Sequence, residues 1–260
     1  MKRATFAAGW VAAVLLTAYD TPKYRTIYAR PFAPGEKVVY RVHYGWFTAG
    51  YATFSVAPKL EYHNGRACYR LYGEGRSLSS FDWFYKVDDR FTSWMDAEAV
   101  MPWKYEKHWR EGDYRYDDTV AFDHDARTIR GRNGKFSAPE YTQDMLTAFY
   151  YARCLDLNRA ETGRVFPIPT FFDDGVYPLG LKVLGKETIS CELGKVRCVK
   201  VAPILIAGRV FKGEQEMTIW ITDDENRLPV RIESPVIVGS IRADIHSYEN
   251  LAHPLAAKTH

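Results

Sequence analysis

Almost the whole chain alternates apolar and polar side chains with a period of two, and one stretch, residues 141–157, breaks that rule. Alternation sends neighbouring side chains to opposite faces of a strand, whereas a repeat near 3.6 gathers them on one face of a helix. In 141–157, Met145, Phe149 and Ala152 recur at helical spacing, with Leu146 and Tyr150 beside them. The spacing predicts a helix of about four turns. Thr142 or Asp144 supplies its N-cap and Asn158 a stop. Everything else reads as strand, and a long sheet must curl or close to hide its edges. The predicted fold is therefore mainly all-β: a single large curved antiparallel β-barrel or half-barrel of about a dozen strands, with one principal helix packed against it or plugging it.

The first strand spans 36–44, with Val38, Tyr40, Val42 and Tyr44 on one face; a turn over 45–50 leads to a return strand at 51–56. Asn64-Gly65 is a two-residue hairpin signature. Strands follow at 67–78 and 87–95, separated by Ser80-Phe81-Asp82-Trp83-Phe84-Tyr85, where the alternation fails. Long strands at 101–110 and 114–122 join through Gly112-Asp113, and Asn133-Gly134 marks another turn. Beyond the helix, 166–172, 179–189, 196–206, 214–222, 228–234 and 241–248 read as strands, with a polar turn at 223–227. No repeat, low-complexity tract or long linker divides the chain. Residues 36–251 are read as one β-barrel-like domain, preceded by a mobile lead at 19–35 and followed by a tail at 252–260.

Residues 1–18 stand apart. Lys2 and Arg3 precede an apolar run from Ala4 to Leu16, and Leu16-Thr17-Ala18 is an imperfect small-residue cleavage pattern. The run is short for a bilayer span and fits the apolar region of a signal peptide; a retained N-terminal anchor is the other reading. Either places the protein outside the cytosol, in the periplasm or at the outer-membrane periphery. Thirty-five basic and 32 acidic residues are interspersed, with a net charge of +3. That balance lacks the basic stripe of a nucleic-acid binder. A lipid, a glycan or an envelope protein is the expected partner, with membrane association through the N-terminal segment only.

Export permits disulfides. A two-residue turn at Gly194-Lys195 would oppose Cys191 to Cys198, at a separation within reach of a disulfide. Two small buried thiols are the alternative outcome, and a register slip of one residue selects it. The pairing of Cys68 and Cys154 does not follow from the sequence.

Enzyme signatures are missing: there is no Gly-x-Ser-x-Gly, no His-Glu-x-x-His, no phosphate-cradling glycine loop and no Cys-x-x-Cys. No catalytic residue, cofactor or metal is assigned. Asp123-His124-Asp125 reads as a solvated turn rather than a cation site. Acid pairs at Asp88-Asp89, Asp117-Asp118, Asp173-Asp174 and Asp223-Asp224 point to opposite strand faces, so none is a dyad by itself. The richest constellation is aromatic and ionic. Phe81, Trp83, Phe84 and Tyr85 lie beside Asp82 and Arg90, and Phe171, Phe172 and Tyr177 beside Asp173 and Asp174. Such a set can stack on a sugar and bond its hydroxyls. Its rings alone can line an acyl-chain pocket or fill the core, with Arg90 then satisfying Asp82 or Asp173. Arg209, beside Phe211, either faces an anionic headgroup or stands solvated at a strand end.

Several phrases occur together: Phe81 to Arg90, Asp144 to Arg153, Phe171-Phe172-Asp173-Asp174, Gly208-Arg209-Val210-Phe211, and Trp220 to Val230. Together they resemble an exported bacterial family known as domain of unknown function 3108, over about residues 35–251. The resemblance implies an envelope protein with a curved antiparallel β-barrel similar to the YmcC-like fold. More loosely, it implies the half-barrels that carry acyl chains, and it transfers no catalytic residue. Three functions stay open. One is a non-enzymatic envelope protein holding a lipid, glycan or peptide segment. The second is a structural or assembly factor with a packed interior. The third is a carbohydrate-active enzyme using two separate acids.

Overall fold

The computed structural model describes residues 23–205, 217–235 and 239–259; the N-terminal apolar segment and Arg209 lie outside them. Nine strands come first. They are β1 (Lys37–Tyr44), β2 (Phe47–Val56), β3 (Glu61–His63), β4 (Arg66–Ser77), β5 (Asp88–Asp96), β6 (Pro102–Glu111), β7 (Tyr114–Asp123), β8 (Thr128–Gly131) and β9 (Gly134–Ser137). Helix α1 (Met145–Cys154) and a short 3-10 turn (Leu157–Arg159) follow. Then come β10 (Val165–Phe172), β11 (Gly175–Cys191), β12 (Gly194–Leu205), β13 (Thr218–Thr222), β14 (Pro229–Pro235), β15 (Ser240–Glu249) and β16 (Lys258–Thr259).

All 16 strands belong to one antiparallel sheet whose order runs β10 to β15, then β1, β2 and β4 to β9, with β3 and β16 added on β4 and β12. The path does not close by hydrogen bonds, so β9 and β10 are its two edges. Helix α1 is the segment that joins those two edges along the chain. It also seals one of them: Gln143 donates its N–H to Pro169 O and accepts from Phe171 N, both at 2.8 Å. Across the seam, Asn133 Nδ2 donates to Asp173 O at 3.0 Å, and Lys107 pairs with Asp173.

The sheet curls because its strands carry extra residues. Register shifts interrupt β1 against both neighbours, β5 against β6, β11 against β12 and β13 against β14. Each bulge bends its strand and sharpens the twist. The curvature is visible in what the helix touches. Leu146 and Tyr150 pack with Leu71, Met95 and Val120; Phe149 reaches the cluster around Tyr40 and Val230; Ala148 and Ala152 reach Leu181, Val201 and Ile221. One helix meets inward faces from both halves of the sheet only if the sheet wraps around it.

The helix is shorter than the 141–157 run. Asp144 caps it, with Oδ1 accepting from the N–H groups of Leu146 and Thr147 at 2.8 Å each, and Thr147 Oγ1 accepting from Asp144 N in return. It ends at Leu155, before Asn158. The turn after β1 is also shorter than 45–50: Tyr44 pairs with Phe47, leaving Gly45-Trp46 at the tip with Gly45 at φ +57°. That positive φ at the first turn position matches a two-residue hairpin. At Asn64-Gly65 both residues adopt positive φ, as the sequence predicts.

Two boundaries need correcting. The described lead, 23–35, is fastened rather than mobile. Phe32 is buried against Tyr150, and Arg25 donates to the carbonyls of Ala99 and Val100. The C-terminal residues also belong to the domain, because Ala257 is buried and β16 extends the sheet at Lys195 and Val196. The disulfide register does not form either. Gly194 opens β12 at φ +101°, so the turn falls on Glu192-Leu193, Cys191 opposes Gly194 and Cys198 opposes Glu187. All four cysteines are free thiols.

Candidate ligand-binding groove

The groove begins with the helix. Three-four spacing gives α1 two apolar sides. Tyr150 enters the core, Leu146 packs in the core and also borders a cavity of about 440 Å³, and Met145, Ala148, Phe149 and Ala152 line that cavity. The inward faces of β2, β5 and β10 to β14 form the opposite wall, through residues such as Phe54, Phe91, Ile168, Leu181 and Ile219. Phe54 and Phe149 stack at 4.4 Å and 8°, which joins the two walls at one side. The helix sits close to the sheet at Gly73, where an added Cβ would come within 3.3 Å of Leu146 Cδ1.

Among the described residues the lining contains no carboxylate, and its few polar groups are largely committed. Thr170 Oγ1 donates to Ile168 O at 2.8 Å. Arg153 is engaged from three sides: Glu36 takes both Nη atoms, Pro31 O takes Nη2, and Asn226 O takes Nε. Tyr105 is the exception. Its hydroxyl is buried without a hydrogen-bond partner. Cavities of this size lined by aliphatic and aromatic groups take hydrocarbon, each buried CH₂ contributing about 0.8 kcal/mol.

The residues singled out from the sequence lie elsewhere. Phe81, Asp82, Trp83 and Tyr85 belong to the loop between β4 and β5. Phe81 packs on Phe84, Asp82 accepts from Ser77 Oγ, and Tyr85 donates to Glu111 at 3.1 Å. Trp83 stands in solvent, and Arg90 pairs with Asp88 at 3.3 Å on the exposed face of β5. The second group occupies the turn between β10 and β11. Phe171 is core against Phe122 and Phe136, Phe172 meets Tyr177, and Asp174 accepts from Tyr177 at 2.9 Å. Asp173 is taken by Lys107. None of these side chains lines the groove.

The helical stripe of Met145, Phe149 and Ala152 was the sequence signal for the groove. Its sheet wall was not distinguishable, because apolar residues alternate on most strands whether they face the core or the groove. Two buried acids have raised pKa values: burial pushes Asp89 and Asp144 each up to about 6. Asp89 accepts from Arg110 N at 2.7 Å, and Asp144 accepts from Ser93 Oγ at 2.6 Å. Both serve as internal acceptors. Among the described residues, no three His, Cys, Asp or Glu side chains gather as a metal site.

A family model described as protein of unknown function DUF3108 matches residues 39–246. The chain belongs to this family. The DUF3108 match takes in α1 and all the groove-lining residues. No curated protein matches the sequence. Among solved structures, the β-barrel-like protein of domain of unknown function DUF1849 from Brucella abortus aligns at 11% identity and TM-score 0.54, over 87% of this chain and 99% of that one. That likeness shows the fold of this DUF3108 chain, a barrel-like curved sheet. A Bacteroides fragilis NCTC 9343 protein with a YmcC-like fold aligns at 9% identity and TM-score 0.38, over 84% and 97% of the two chains.

Proposed function

We propose that this protein is a non-enzymatic envelope component that holds the acyl chain of a lipid between α1 and the curved sheet. The observation that carries this reading is the groove itself, about 440 Å³ of space whose walls are hydrocarbon and aromatic and whose lining, among the described residues, has no carboxylate. A sugar would need hydroxyl partners that these walls do not offer, and a glycosidase would need two acids facing the cleft. A purely structural role would call for a filled interior. Location in the envelope is supported by the charged start and apolar run of residues 1–18.

Native mass spectrometry of protein taken from a bacterial envelope without refolding tests the proposal. The expected result is a bound mass in the lipid range that organic extraction removes. Protein that emerges bare, and that fails to take up a fluorescent apolar probe in its groove, overturns the reading.

A further inference from the structure

One end of the sheet carries a concentration of exposed rings that neither the core nor the groove uses. The pairings Tyr44–Phe47, Gly50–Ser77 and Arg76–Asp88 put the β1–β2 turn and the β4–β5 loop at the same end. Trp46, at the turn tip, is 99% exposed, and Phe47 follows it at 71%. In the loop, Trp83 is 85% exposed, with Phe84 and Tyr85 also in solvent. The two segments form one surface: Leu78 N donates to Ala49 O at 2.8 Å, and Tyr44 stacks with Phe84 at 6.2 Å. Both exposed tryptophans of the described residues therefore protrude from a single rim.

Among the described residues, exposed lining of the groove lies toward that rim. Tyr44 pairs with Ile241 and Pro235 with Ser240, so β14 ends and β15 begins there. The start of β13 lies at the same end, because Thr218 pairs with Glu233 near the end of β14. Met217, just before β13, lines the groove and is itself exposed. At the opposite end, Phe32 and the Arg153–Glu36 pair close the interior.

We infer that this rim docks on a lipid bilayer, with Trp46 and Trp83 entering the headgroup layer and the groove mouth facing the membrane. Trp and Tyr favour the boundary between water and hydrocarbon, where an apolar ring body and a polar tip are both satisfied. A protruding two-residue turn suits penetration better than it suits a flat protein interface. Charged groups at this rim are mixed in sign and largely paired: Asp89 is buried, Asp82 accepts from Ser77, Asp88 is shared by Arg76 and Arg90, and Glu111 accepts from Tyr85, with Lys86 and Asp113 exposed beside them. The protruding rings, rather than net charge, carry the contact. Among the described residues no helix is long and apolar enough to cross a membrane.

The test uses protein purified from the envelope, mixed with vesicles of phosphatidylcholine alone or with one fifth phosphatidylglycerol. Lipids brominated along their chains quench tryptophans that enter the bilayer. Quenching is expected in the parent protein with or without phosphatidylglycerol, and reduced severalfold in the Trp46→Ser/Trp83→Ser double variant, while its Tm and its uptake of an apolar probe stay unchanged. Equal quenching in parent and double variant overturns the inference, whatever residues 1–18 contribute to vesicle binding. So does crosslinking from position 83 that captures a protein partner while vesicles leave the fluorescence untouched. Failure of probe uptake with quenching intact would remove the acyl-chain reading and leave the rim assignment standing.

Discussion

Arg153 and Glu36 meet fork to fork in the interior, with Nη1–Oε1 at 2.5 Å and Nη2–Oε2 at 2.9 Å, and neither side chain is exposed. The pair binds the last turn of α1 to the residue that precedes β1, and Pro31 O and Asn226 O take two of the three remaining guanidinium donors. Removing one partner strands a buried charge. Glu36→Gln is expected to lower unfolding free energy by about 3–5 kcal/mol in urea titration. A loss under 1 kcal/mol would mean that the pair is hydrated in solution.

Tyr105 and Tyr40 are both buried tyrosines with opposite hydroxyl environments. Tyr40 donates to Pro229 O at 2.8 Å, whereas Tyr105 Oη has no partner. Tyr40→Phe should destabilise by about 1 kcal/mol, and Tyr105→Phe should be neutral or stabilising by up to about 2 kcal/mol. Equal losses from both would show that a partner reaches Tyr105.

Burial pushes the Asp144 carboxyl up to about 6, although Ser93, Thr147 and Leu146 donate to it. In the unfolded chain an aspartate titrates near 3.9. The folded state holds this proton more tightly, so the contribution to stability is complete below about pH 4 and is lost as pH rises through about 6. Asp144→Asn cannot titrate. The stability of the parent minus that of the variant should therefore fall across this window in urea midpoints, and a pH-independent difference would contradict the assignment.

The four thiols are unpaired, and burial raises Cys198 to about 12. Reductant should leave Tm unchanged. Alkylation of the native protein should be slow at Cys198, because so little thiolate exists, and all four cysteines should label after denaturation. A native mass two daltons lower that reductant restores would reinstate a disulfide.

Ile232 lines the groove from β14 without belonging to a core cluster. Ile232→Glu puts a charge against an acyl chain, and at least a tenfold loss of lipid or apolar-probe binding is expected with little change in Tm. Unchanged binding would place the ligand elsewhere.

Much of the scaffold is legible in the residues. Period-two alternation marks nearly every strand, Asn64-Gly65 its hairpin, and Asp144 the start of the helix. These are local properties, set within a few residues by backbone sterics and short-range hydrogen bonds. The aromatic clusters mark the limit of such local reading. Phe81 to Tyr85 look like a pocket wall in one dimension, yet the loop carries Trp83 into solvent and leaves Phe171 alone in the core.

The sequence by itself determined that one helix would sit among strands, and which side chains would share each of its sides. Only the tertiary structure decided that Tyr150 faces core while Met145 faces open space and Leu146 and Phe149 border both, that Glu192-Leu193 turns the chain so that Cys191 and Cys198 never oppose, and that Arg153 finds Glu36 117 residues away. Periodicity states which residues travel together. What they meet depends on how sixteen strands curl and pair, and that is settled by packing across distant parts of the chain.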